Sequence, residues 1–196
     1  MTDLRLLADD LTGALDSAAR FVPLTGVVPT CWKLPADLPQ SLALDSGTRE
    51  LDAADALSAI APVAPLLDDG DPAFKKIDSL MRGHVVLELA ACARRFDHCI
   101  VAPAFPFQGR ITRNGRQLVR TGTGWRDTGV DLSAAGVRVC DAETDADLDA
   151  IVAAGRSLAG RVLWCGTGGL AAALAGRVAV PRPRLPRPIL ALIGSD

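Results

Sequence analysis

Two adjacent carboxylates, Asp9 and Asp10, close the apolar run Arg5 to Ala8, and Thr12 and Gly13 follow within three residues. Paired carboxylates raise one another's proton affinity, so one can act as a base, or both can hold hydroxyls or a metal. The plainer reading makes Asp10 or Thr12 the N-cap of the Ala-rich segment that follows. A phosphatase-like hydrolase is the weaker chemical alternative for this pair. Haloacid-dehalogenase-like enzymes, however, separate their two Asp by one residue, and here they are adjacent. A second group, from Phe74 to His84, is denser. Lys76 and Asp78 share one face of an extended segment, Ser79 and Arg82 come next, and Gly83 precedes a helical pattern. The planar fork of Arg82 suits a carboxylate or a phosphate, and the helix opening adds its positive end. Its plain alternative is a salt bridge in which Asp78 holds Arg82.

Two further segments carry chemistry. Prolines flank Phe105, and Gly109 and Arg110 follow, which gives a rigid aromatic wall with an anion-binding rim. Gly166, Thr167 and Gly168 stand before a helical stretch, where backbone N–H groups can cradle a phosphate. A tight strand-to-helix turn explains the same residues equally well. The segment is neither a P-loop nor a dinucleotide fingerprint.

These residues sit at the ends of elements that alternate along the chain. Strands are predicted at 5–8, 27–32, 41–44, 74–77, 99–102, 137–140, 162–165 and 189–193, and helices at 12–21, 53–67, 85–96, 145–159 and 169–175. Short, continuously apolar strands alternating with helices define an α/β fold, a largely parallel Rossmann-like sheet with helices on both faces. Ligands bind such sheets beyond the carboxyl ends of the strands. The motifs 9–13, 45–49, 78–83, 103–110 and 166–169 all fall there. Residues 111–128 show no apolar periodicity and read as a mobile lid or a partner-contact loop. Residues 177–188, rich in Pro and Arg, read as a stiff linker.

Composition narrows the classes. The 196 residues are 49% hydrophobic with a formal charge of -2, which fits a globular domain and offers no basic excess for nucleic acid. No membrane span or signal peptide is legible, so a cytoplasmic location without membrane partners is expected. Five cysteines are scattered and two histidines are present, which suits buried thiols in a reducing compartment rather than a metal centre.

In matching order, the segments 8–14, 75–83, 102–106 with Gly109, Arg110 and Gly115, and 165–171 are similar to the N-terminal sugar-binding domain of the four-carbon acid sugar kinases. Leu80-Met81 stands where that family more often has Thr-Leu, and His84 where Asn is usual. The resemblance implies an ATP-dependent phosphoryl transfer to a threonate, erythronate or oxo-tetronate type substrate. Arg82 and Arg110 would clamp the substrate carboxylate. Asp9, Asp10 and Asp78 would accept its hydroxyls, with Asp78 or Asp10 as the candidate base. Thr12, Lys76, Ser79, Gly83, Phe105 and Gly109 complete the implied sugar site. Gly166, Thr167, Gly168 and Ser195 are its implied nucleotide contacts, while most contacts to ATP and Mg²⁺ would fall to a second domain. The expected division is a sugar-binding domain over 1–176, a linker over 177–188 and the first strand of a nucleotide domain over 189–196. A free-standing acid-sugar binding or regulatory module is the alternative, and a homodimer remains open because the last strand could cross to another copy.

Overall fold

The fold is taken from a computed structural model that describes residues 3–178. The expected strand at 189–193, Ser195 and all but the first two residues of the linker lie outside the described residues.

In chain order the elements are β1 (Arg5–Ala8), α1 (Leu11–Thr25), β2 (Thr30–Cys31), β3 (Leu42–Asp45), α2 (Ala53–Ile60), β4 (Ala73–Lys76), α3 (Val85–Ala93), β5 (His98–Ala102), β6 (Arg110–Arg113), β7 (Arg116–Thr121), β8 (Gly124–Asp127), β9 (Arg138–Val139), α4 (Asp145–Arg156), β10 (Val162–Gly166) and α5 (Gly168–Leu174). Among the described residues they build a seven-stranded sheet in the order β2-β3-β1-β4-β10-β5-β9, with every pairing parallel, and a separate antiparallel sheet β6-β7-β8.

The period-2 alternation of each strand feeds two cores. Leu6, Phe74 and Trp164 pack on one face with Phe21 of α1, Leu148 of α4 and Leu170 of α5. Leu7, Ala73, Leu163 and Cys165 pack on the other with Ile60 of α2 and Leu89 of α3. Neighbouring residues on β4 therefore face opposite layers. Lys76 shares the side of Phe74, towards α1, and Lys75 shares that of Ala73, towards α3. The cysteines behave as small hydrophobes, and burial pushes the Cys92 thiol up to about 11.

From β1 the chain moves to β3 on one side, then returns across β1 to β4 on the other. The order of strands thus reverses between β1 and β4, and their carboxyl ends open the crevice where such sheets bind ligands. Asp9 and Asp10 follow one of these strands, and Asp78 follows the other.

Three sequence expectations are corrected. The helix expected over 53–67 ends at Ile60, because Pro62 and Pro65 withdraw N–H donors, and a 3₁₀ turn over Ala64–Asp69 replaces its second half. The strand expected over 27–32 shrinks to Thr30–Cys31 at the sheet edge. The loop expected over 111–128 is instead the three-stranded sheet, turned at Asn114 (φ 53°) and Gly115 (φ 72°). Positive φ at both central residues is the hairpin turn that Asn-Gly favours, and the Asp141 carboxylate accepts both of its N–H groups.

Candidate functional site

The guanidinium of Arg49, four residues past β3, organises the strand ends. Its Nε and Nη2 donate to Asp9 Oδ2 and Oδ1 at 2.8 and 2.9 Å. Nη2 also reaches Asp10 Oδ1 at 2.7 Å, Nη1 lies 2.7 Å from Asp10 Oδ2, and Asp78 Oδ1 is 3.5 Å from Nη2. One planar cation thus links three carboxylates delivered by two strands.

Each carboxylate has its own setting. Asp9 is 3% exposed, and both of its oxygens face Arg49. Asp10 is the N-cap of α1, where its Oδ1 accepts from Gly13 N at 2.9 Å. Its Oδ2 meets Arg49 alone among the described residues. Asp78 is heavily engaged: Oδ2 accepts from Leu80 N, Arg82 N and Arg82 Nε, and Oδ1 from Arg82 Nη2 at 2.9 Å. Burial alone would raise the Asp78 pKa, but the Arg82 side-chain and backbone hydrogen bonds hold it below the ordinary carboxylate value. Burial holds Lys76 below the usual lysine value, although Asp9, Asp78 and Asp10 all favour its charged form. Asp45 is pushed up, first by burial and then by the charges of Asp10 and Asp9.

Around this cluster lies a cavity of about 320 Å³. Among the expected residues, Asp10, Thr12, Lys76, Asp78, Ser79, Arg82, Phe105, Arg110, Thr167 and Gly168 line it. Asp9, Gly83, Gly109 and Gly166 are not among its lining residues. Gly83 (φ +75°) lets the chain pass Arg49, since a Cβ there would lie 3.3 Å from the Arg49 Cα. A larger groove of about 910 Å³ runs between α4 and β9. Its three acidic residues already accept local backbone hydrogen bonds, Asp97 from Arg161 N, Asp141 at the Asn114 turn and Asp147 at the α4 N-terminus. The smaller cavity is therefore the candidate site, because the strand ends converge on it.

Some roles differ from the expectation. Arg82 is paired with Asp78, the salt bridge named as the plain alternative for 78–82, and its side chain also lines the cavity. Arg110 Nη1 donates to the Gln108 carbonyl and Oε1, its Nε is buried without a hydrogen-bond partner, and no carboxylate pairs with it among the described residues. Asp9 has no oxygen turned to the cavity, which removes the Asp9/Asp10 hydrolase pair. The glycines of the 166–169 turn are demanded by packing. A Cβ on Gly166 would stand 2.6 Å from the Ala102 carbonyl, and one on Gly169 would stand 2.5 Å from the Ala104 carbonyl. Thr167 caps α5 and donates to Ala104 O.

Arg49, Gln108 and Asp16 also line the cavity, although their residue types alone do not mark them as site residues in the sequence. Arg49 lies within the strand-end motif 45–49, so its position is the available signal. Gln117, 1% exposed, ties two site loops together by donating to Ser79 O and Pro103 O. Its only sequence signal is the Asn-Gly turn two residues before it.

A parallel doubly wound sheet with a polar cavity at its switch point defines a small-ligand-binding α/β domain. A match to the sugar-binding N-terminal domain family spans residues 4–134, and the chain belongs to this family, the N-terminal domain of the four-carbon acid sugar kinases. A D-threonate kinase from Cupriavidus necator is 32% identical, aligned over 97% of this chain and 60% of its own length. A D-threonate kinase from Bordetella bronchiseptica is 29% identical, over 87% of this chain and 54% of its own. A crystal structure of a domain of unknown function from Bordetella bronchiseptica, a domain-swapped dimer with bound citrate, superposes with a TM-score of 0.73 at 28% identity, over 88% of this chain and 55% of that one. The chain thus spans little more than half the length of these relatives. Among the described residues, no helix is long and apolar enough to cross a membrane.

Proposed function

We propose that the cavity binds a four-carbon acid sugar of the threonate type and presents one of its hydroxyls for phosphorylation by ATP. The observation that carries this reading is the charge distribution. Arg49 and Arg82 are each bound to carboxylates, and Lys76 lies among three of them, whereas Arg110 faces the cavity with only Gln108 for a partner among the described residues. Arg110 is therefore the guanidinium that takes the substrate carboxylate, and the clamp with Arg82 reduces to Arg110 alone. Asp10 Oδ2 accepts a substrate hydroxyl and is the candidate base, because Asp78 already accepts four hydrogen bonds whereas Asp10 Oδ2 meets only Arg49 among the described residues. D-threonate kinases among the relatives and citrate bound in a structural neighbour support an acidic, hydroxylated ligand.

The described residues do not fit ATP or Mg²⁺ by themselves. At the 166–169 turn the Gly169 N–H already donates to Thr167 Oγ1, and the three site carboxylates already carry cationic partners. Neither group therefore enters the chemistry assigned to these residues. This reading keeps residues 1–176 as the substrate half of an ATP-dependent kinase, and a homodimer is part of it on the strength of the dimeric neighbour. The same misfit favours a second reading, in which the chain binds the acid sugar without phosphorylating it.

Calorimetry with D-threonate tests the shared core of both. Saturable binding by the wild type, weakened about tenfold or more in Arg110→Gln with unchanged folding stability, is expected for loss of a charge-assisted hydrogen bond. Equal affinity in the two proteins removes Arg110 from the site. Phosphorylated product from the D-threonate-bound chain with ATP would favour the kinase reading; its absence is expected of both readings, since the ATP contacts are assigned outside residues 1–176.

A further inference from the structure

Beneath the cavity, on the α3 side of β4, lies an ion pair that the proposed substrate never touches. Lys75 is fully buried and Glu88 is 1% exposed, with Lys75 Nζ 2.6 Å from Glu88 Oε2. Lys75 also donates to the Lys76 carbonyl at 3.1 Å. Burial opposes the Lys75 charge, but Glu88 together with Asp9 and Cys92 outweighs it and holds its pKa above the ordinary lysine value. Two charges taken out of water are seldom worth more to stability than a well-packed apolar pair. A buried pair of this kind therefore calls for a role beyond holding the core together.

The second oxygen of Glu88 supplies that role. Glu88 Oε1 accepts from Thr48 Oγ1 at 2.5 Å, and Thr48 is itself fully buried. A carboxylate can only accept, so the Thr48 hydroxyl that donates to it points into the core; its oxygen also lies 2.9 Å from Ser46 Oγ, and the two contacts hold the rotamer of the residue directly before Arg49. The backbone of the same segment is tied to β1 by Ser46 N to Ala8 O at 2.9 Å and Arg49 N to Asp9 O at 3.2 Å. Gly83 packs close to Arg49, since a Cβ on it would lie 3.3 Å from the Arg49 Cα.

We infer that Glu88, seated on Lys75, is a positioning residue that acts through Thr48 to aim the Arg49 guanidinium at Asp9, Asp10 and Asp78. The device links the α3 layer to the cavity on the other face of β4. Its consequence for ligand binding rests on the acid-sugar reading of that cavity; its consequence for Arg49 does not.

The test uses the full chain, ¹⁵N-labelled, with Thr48→Val and Thr48→Ser and with D-threonate as the probe. The Arg49 Nε–H cross-peak, assigned by its loss in Arg49→Lys, reports the aim of the guanidinium, and calorimetry reports binding. Thr48→Val is expected to broaden or shift that cross-peak and to weaken D-threonate about tenfold, the cost of one hydrogen bond to a charged group. Thr48→Ser, which keeps the hydroxyl, restores the peak and the affinity to within about twofold of wild type. Should Thr48→Val fail to fold, Thr48→Ala is read in its place by the same criteria. An Arg49 cross-peak unchanged in the hydroxyl-free variant overturns the inference. If D-threonate binds none of the proteins while the cross-peak responds as expected, the positioning role stands and the acid-sugar reading falls.

Discussion

At Arg49 a single guanidinium, 10% exposed, binds Asp9 and Asp10 and lies 3.5 Å from Asp78. Removing it leaves buried negative charges uncompensated, the kind of loss that costs about 3–5 kcal/mol. Arg49→Met is thus expected to lower the urea-extrapolated unfolding free energy by about 3 kcal/mol, with circular dichroism as the readout. Asp78 sets a pH dependence of definite sign. Its folded pKa lies below the ordinary 3.8, so the stability it contributes is present above that value and is lost as pH falls through the lowered one. The difference in unfolding free energy between wild type and Asp78→Asn should therefore shrink as pH drops below 3.8, and a difference that grows would contradict the pairing with Arg82. The carboxylates are legible in the sequence because they cluster at strand ends. Their division of labour is not, since a sequence shows Asp78 and Arg82 four residues apart but not that Arg49 reaches across from β3.

Elements, more than single residues, decide how closely the layers meet. Gly155 of α4 faces the sheet, and a Cβ there would clash with Trp164 Cη2 and Ile100 Cδ1. An indole cannot move aside as a flexible chain does, so Gly155→Ala should cost about 1–3 kcal/mol of overpacking, read as a lower urea midpoint. The strands of the main sheet are legible because they are short, apolar and bounded by turn residues. The second sheet is not, since β8 is exposed throughout and alternation has no buried face to mark. Asn114-Gly115 is the local signal for it. The second half of the helix expected at 53–67 fails for the opposite reason, because its apolar spacing persists through two prolines that forbid α-helical hydrogen bonds.

For the whole molecule, topology selects the site. The reversal of strand order between β1 and β4 brings Asp10, Arg49, Lys76 and Asp78 to one cavity of about 320 Å³, with Arg110 supplied from the start of β6. That volume is at the small end of ligand pockets and suits a four-carbon acid better than a nucleotide. The central claim is that an acid sugar lies here with its carboxylate on Arg110 and a hydroxyl on Asp10. A crystal structure of the chain with D-threonate measures this directly. The account predicts the carboxylate within hydrogen-bond distance, about 2.7–2.9 Å, of the Arg110 guanidinium and a hydroxyl at Asp10 Oδ2. Density for the ligand in the groove between α4 and β9, or a carboxylate turned away from Arg110, would contradict it.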